Sequence, residues 1–278
     1  MNKLELMKIA NEIRKGIIIG TYHAKSGHTG GSLSAAEIFA YLYFEEMNID
    51  PENPEKADRD RFVLSKGHTA PGMYAALALK GYFPWKDMEK LRHTGFHLQG
   101  HPDMKRTPGV DMSSGSLGQG ISAAVGMALS AKLSGDSYRV YTLLGDGEIQ
   151  EGQVWEAAML AGSRKLDNLV VIVDNNNLQI DGTLEEVNSP YPLEPKFEAF
   201  NFHVITIDGN DFDQIDAAFK EAREVQGMPT AIIAKTVKGK GISFMENAVG
   251  WHGVAPNAEQ YAAAMEELEK AGEALCQM

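Results

Sequence analysis

Apolar and polar positions change period repeatedly along this chain. Leu4 to Ile19 carries apolar residues at helical spacing and predicts a helix. Ala24 to Leu33, rich in Gly and Ser, predicts a loop, with Ser34 as the N-cap of a helix running to about Met47. Arg61 to Leu64 is a short strand and Ala70 to Lys80 a helix. Leu117 to Leu133 forms a helix of small residues, followed by strand Arg139 to Leu144 and helix Gln153 to Leu166. Leu169 to Val173 is an unbroken apolar run, the signature of a strand buried on both faces. Strand His203 to Ile207, helix Phe212 to Val225, strand Ala231 to Thr236 and helix Pro256 to Gly272 close the pattern. Strands alternating with helices predict an α/β fold, a mostly parallel sheet with helices on both faces. Ligands of such sheets bind beyond the carboxyl ends of the strands.

No repeat, low-complexity tract or Pro/Ser-rich linker divides residues 1–278, so a single domain is expected. The 44% hydrophobic and 23% charged content fits a folded core and argues against disorder. No apolar run approaches the roughly 18 residues needed to span a bilayer, and Met1 to Arg14 is too charged for a signal peptide. One cysteine, Cys276, excludes an internal disulfide and fits a cytoplasmic location. A formal net charge of -12 argues against nucleic acid. Any phosphate group would have to be held locally, by backbone N–H groups, a metal or a few histidines, against that field.

The chemistry concentrates at two strand ends. Strand 141–144 runs into Gly145-Asp146-Gly147, and residues 148 to 174 separate it from Asn175-Asn176 at the end of the next strand. One strand-helix-strand unit thus brings a carboxylate and an amide to the same sheet edge. The glycines let the backbone turn sharply and approach a ligand. Asp and Asn oxygens, backbone carbonyls and phosphate oxygens suit a hard cation such as Mg²⁺ or Ca²⁺. Either fragment alone reads as an ordinary turn; the two at this separation point to a ligand.

Gly-Asp-Gly followed at this distance by Asn-Asn resembles the fingerprint of thiamine-diphosphate enzymes. Ser26-Gly27-His28-Thr29-Gly30, Asp58 through Ser65, Gly67-His68, Gly100-His101-Pro102 and Gly118-Gln119-Gly120 narrow the resemblance to the transketolase family. It extends from the first helix to about Pro256. The resemblance implies the thiamine-diphosphate-binding fold, in its diphosphate-binding domain, and a transferase moving a two-carbon ketol unit between sugar phosphates. It implies Asp146 and Asn176 as side-chain metal ligands, with Leu178 contributing its carbonyl. Gly147 would offer its N–H to the diphosphate, and His68 would contact the diphosphate or the thiazolium. Gly115-Ser116-Leu117 would line the cofactor, where the family often has Gly-Pro-Leu. His28 and His101 would face substrate hydroxyls, where an imidazole can take and return protons. His252 matches only part of a family pattern that often holds two histidines, Val249 occupying the other position, and is expected to touch the diphosphate or the substrate. Glu151 matches an acid at the subunit interface, and reads equally as a helix-start glutamate.

No segment resembles the family's pyrimidine-binding domain, which carries the glutamate that activates the cofactor. The resemblance therefore implies a partner chain supplying that domain, in an α2β2 assembly; the alternative is a piece of a longer chain. Three other readings stand beside it: a 1-deoxyxylulose-5-phosphate-synthase-like half enzyme, a non-catalytic cofactor-binding subunit, and a nicotinamide dehydrogenase. The last lacks Gly-x-Gly-x-x-Gly after its first strand. His93, His97 and His101 have helical metal-site spacing, but Gly95, Gly100 and Pro102 would break that helix. Lys238-Gly239-Lys240-Gly241 reads either as a phosphate-facing loop or as an exposed basic turn.

Overall fold

A computed structural model describes all residues, Met1–Met278. Five parallel strands form one sheet: β1 (Arg61–Leu64), β2 (Val140–Gly145), β3 (Leu169–Asn175), β4 (His203–Asp208) and β5 (Thr230–Lys235), in the order β1-β2-β3-β5-β4. Side chains alternate strictly between two apolar layers. Along β3, Val170 and Ile172 enter the core on one face, whereas Leu169, Val171 and Val173 enter the core on the other. Phe62, Tyr141, Leu143, Ile232 and Ala234 join the first face, and Val63, Val140, Leu144, Ala231 and Ile233 the second. Burial on both faces explains why β3 reads as a continuous apolar run.

The thicker layer holds α1 (Lys3–Ala24), α2 (Thr29–Ser34), α3 (Ala36–Tyr41), α4 (Ala70–Lys80), α9 (Phe212–Glu224) and α10 (Ala258–Gln277). The other face is covered by α5 (Gln119–Ser134), α6 (Gly152–Ser163) and α8 (Glu194–Ala199), with the short α7 (Leu184–Val187) beyond β3. Helix α1 begins with a reciprocal cap: Asn2 accepts from the Glu5 N–H while the Glu5 carboxylate accepts from the Asn2 N–H. Asn257 and Gln260 start α10 the same way.

Two expectations are corrected. Residues 29–33, expected as part of a loop, belong to α2, and Ser34, expected as an N-cap, ends that helix and caps nothing. The segment is fully buried, so its backbone groups must bond to one another, and a helical turn does this despite two glycines. The Ser34 hydroxyl instead donates to the Gly31 carbonyl and to Asp174 Oδ2 at 2.5 Å. The helix expected to follow it to about Met47 is α3, which passes into a wider turn at Leu42–Glu46.

Candidate active site

The carboxyl ends of β1, β2, β3 and β5 open into one cavity of about 410 Å³. His68 follows β1, Asp146 follows β2, Asn176 and Leu178 follow β3, and Lys238 follows β5. His28 enters from the turn before α2, His101 and Gly115 from the long β-less stretch before α5, and His252 from the segment before α10.

Asp146 is buried. Its carboxylate accepts from Gly147 N (2.8 Å), Asn175 Nδ2 (3.2 Å) and Asn177 N (2.5 Å). Burial, and then the nearby Asp174 charge, push its pKa up to about 6. A buried carboxylate raised in this way is held in its ionised form by a divalent cation, which prefers such oxygen donors. Asn176 Oδ1 accepts from Leu178 N at 3.1 Å, and the Leu178 carbonyl accepts from Lys238 Nζ at 2.9 Å. Asp146, Asn176 and Leu178 line one cavity and carry oxygen atoms of the kind a hard cation such as Mg²⁺ or Ca²⁺ takes.

Four imidazoles gather on the other side. His28 lies 5.0 Å from His68, 5.6 Å from His252 and 6.3 Å from His101, between ring centres. His68 and His252 stack at 5.4 Å. Burial foremost, reinforced by Arg92 and other cations, lowers the pKa of His28 to about 4. Burial and then Lys66 hold His68 well below the usual imidazole range. His101, more open, is lowered by partial burial and by Arg92. All three shifts favour the uncharged imidazole. Gly115, at φ 150°, makes room for this group: a Cβ there would sit 3.1 Å from the His101 ring.

Several expected residues behave differently from one another. Gly115 and Leu117 line the cavity, whereas Ser116 is exposed and lies outside its lining. Gly147 lines it too, with its N–H donated to Asp146. Glu151 stands exposed at the rim, at the N-cap of α6 but making no side-chain cap. His252 reaches the cavity, with Nδ1 at 2.8 Å from Lys238 Nζ. The segment around His93, His97 and His101 forms turns, and His97 pairs with Asp87.

A polar floor lies beneath these residues, and no motif in the sequence announces it. Asp174, completely buried, accepts from Ser34, Thr236, Lys66 and Asn176 Nδ2 (3.1 Å). Lys66 also donates to the Gly31 carbonyl. Glu148, also buried, accepts from Ser65 Oγ (2.6 Å), Gly118 N (2.8 Å) and Gly145 N (3.0 Å). Lys238 is a buried cavity residue and no exposed turn; burial lowers its pKa to about 8. The available signal was a carboxylate closing an otherwise apolar β3, which demands a buried donor.

Residues 7–272 match the family described as transketolase, thiamine diphosphate binding domain. The chain is 50% identical over 270 residues to the 6-deoxy-6-sulfo-D-fructose transketolase subunit SqwG of Clostridium sp. (strain MSTE9), spanning 97% of this chain and 98% of that one. It is 41% identical over 267 residues to an apulose-4-phosphate transketolase subunit of Phocaeicola vulgatus, covering 96% of this chain and 94% of that protein. A crystal structure of transketolase from Campylobacter jejuni superposes with a TM-score of 0.91 at 32% identity, across 99% of this chain. The chain spans 46% of that solved transketolase's length. With the fold, the cavity and the match over nearly its whole length in agreement, this chain belongs to the transketolase family, as its thiamine diphosphate-binding domain.

Proposed function

We propose that residues 1–278 form one cofactor-binding domain and act as the N-terminal subunit of a split transketolase, moving a two-carbon ketol unit from a ketose phosphate to an aldose phosphate. The observation that carries this reading is the meeting of hard oxygen donors (Asp146, Asn176, Leu178) and four neutral imidazoles in one cavity. Thiamine diphosphate, when bound, supplies the nucleophilic carbon and the electron sink. The chain's own residues bind, orient and move protons. Asp146, Asn176 and the Leu178 carbonyl would hold Mg²⁺ or Ca²⁺, and Lys238 and His68, which line the same cavity, would offer cationic and N–H partners to diphosphate oxygens. The diphosphate's negative charge would also raise the histidine pKa values towards neutrality. His28 and His101 would then accept the donor's hydroxyl proton as its carbon–carbon bond breaks, and return one as the acceptor aldehyde becomes a hydroxyl. Glu151, exposed at the rim, would meet the neighbouring subunit, and Leu117 would flank the cofactor ring.

A partner chain supplying the pyrimidine-binding domain, in a cytoplasmic α2β2 assembly, is part of the proposal. Its support is that two relatives matched almost end to end bear the name subunit, whereas the transketolase of Rattus norvegicus is matched over only 40% of its length. The substrates named for the first two are ketoses bearing a sulfonate or phosphate. Titration calorimetry of thiamine diphosphate in the presence of Mg²⁺ tests the cofactor site. Asp146→Ala is expected to weaken binding on the order of a hundredfold, and unchanged affinity would sink the assignment. His101→Ala is expected to lower turnover while sparing cofactor affinity; equal losses would argue against contact with substrate.

A further inference from the structure

Arg92 lies outside the cavity lining, yet it ties together the two segments that carry the outer histidines. Its backbone takes φ 61°, a left-handed conformation uncommon for a side-chain-bearing residue, and its N–H closes a turn onto the Leu98 carbonyl at 2.9 Å. This turn folds the half-buried side chain back over residues 98–101. Nη1 donates to Ser26 Oγ at 3.2 Å, two residues before His28, and Nη2 donates to the Gly100 carbonyl at 3.3 Å, directly before His101. The guanidinium lies flat against Gly100: a Cβ at that position would stand 3.0 Å from Arg92 Cζ and 3.1 Å from Nε. No carboxylate offsets its charge; the one ionisable neighbour favouring its protonation is the Tyr74 phenol. Its Nε–H is buried and finds no acceptor.

We propose that Arg92 is a positioning residue, bracing the loops of His28 and His101 against each other and holding both imidazoles uncharged through its unneutralised positive charge. The guanidinium is bonded to the segments that carry both rings, and a cation so placed in a partly dry site disfavours their protonation. The other charged or titratable groups facing His28 are His68, His101, His252 and Lys238; around His101 they are His28 and Arg92, with the Tyr74 hydroxyl donating to its carbonyl. None of these is a carboxylate; Asp103, which acts on Tyr74 beside Arg92, pairs with Arg106. This agrees with Arg92 being the largest influence after burial in lowering both histidines.

The role assigned to Arg92 deepens the proposed function, because it concerns the proton-transferring residues of that site, but its test needs no catalysis. Histidine ring resonances of the full-length chain would be followed by NMR against pH, assigned with His28→Asn and His101→Asn. In Arg92→Gln the titration midpoints of both rings are expected to rise, and in Arg92→Lys, which keeps the charge, they are expected to stay near the wild-type values. Arg92→Met gives the same reading should Arg92→Gln fail to fold. Midpoints that do not move in the neutral variants would overturn the proposal, as would an equal rise in Arg92→Lys, since charge would then not be the cause. In the assembled enzyme, the neutral variants are also expected to move the acid limb of the turnover profile to higher pH. If the histidine midpoints rise and no transketolase turnover is found with any partner, the proposed function fails while the role of Arg92 stands.

Discussion

Asp174 is the residue on which the cavity floor depends most. It sits at zero exposure with four donors, among them the ammonium of Lys66, which has no other carboxylate. A buried pair of this kind adds little net stability, but breaking it strands the remaining charge. Asp174→Ala is therefore expected to lower unfolding free energy by about 3–5 kcal/mol, measured by urea denaturation, and Lys66→Met added to it should recover part of the loss. If the double variant is no more stable than the single one, the stranded ammonium is not the cause. The histidines predict a pH response at the same scale. Between the ordinary value of 6.5 and about 4, an unfolded chain protonates His28 and the folded chain does not, because burial and Arg92 oppose the charge. Stability must then fall as pH drops through that interval. His28→Asn should flatten the decline of the urea midpoint between pH 7 and pH 5, and parallel declines in the two proteins would refute the shift. Asp146 and Asn176 were legible as a pair because their separation fits one strand-helix-strand unit. Asp174, Lys66 and Arg92 were not, since Ser34, Lys66 and Thr236 around Asp174, Gly31 at Lys66 and Ser26 at Arg92 lie far off in sequence.

At the scale of elements, Glu148 joins three pieces of chain that are remote from one another. Its carboxylate receives the Ser65 hydroxyl after β1, the Gly118 N–H at the start of α5 and the Gly145 N–H at the end of β2. Glu148→Ala leaves the buried Gly118 N–H without an acceptor, at about 1–3 kcal/mol, and frees the partly buried Gly145 N–H. Amide exchange at Gly118 and Gly145 should accelerate in this variant by more than at Val171 in the sheet centre; uniform acceleration would mean general loosening only. Helix α5 comes so close to β1 that a Cβ on Gly120 would lie 2.5 Å from Ser65 Cα. Gly120→Ala is expected to push α5 away from the residues leading to His68, destabilising by about 1–3 kcal/mol, and an unchanged thermal midpoint would contradict the packing. Periodicity placed the long helices and all five strands because apolar alternation and helical stripes are local signals. It missed α2, where burial overrides two glycines, and it carried no information on β5 lying between β3 and β4, which is decided by how helices pack on the two faces.

For the whole molecule, a net charge of -12 surrounds a cavity whose nearby cations, Lys66, Lys238 and Arg92, are buried or half-buried. Anion binding must come from these few groups, a metal and backbone N–H donors, because the wider field opposes it. The rim carries exposed apolar side chains, Leu117 and Ile180, beside Glu151, as expected where a second chain would cover bound cofactor. No helix is long and apolar enough to cross a membrane. The family was legible in the order of short motifs along the chain, but donor and acceptor sugars were not, because the hydroxyls that His28 and His101 would meet are common to sugar phosphates. The measurement that bears most directly on the account is native mass spectrometry of the protein isolated from its source with Mg²⁺ and thiamine diphosphate present. The account predicts an assembly of this chain with a second chain, each pair retaining one thiamine diphosphate and one metal ion. A chain that remains alone and carries neither, even at saturating cofactor and metal, would contradict it.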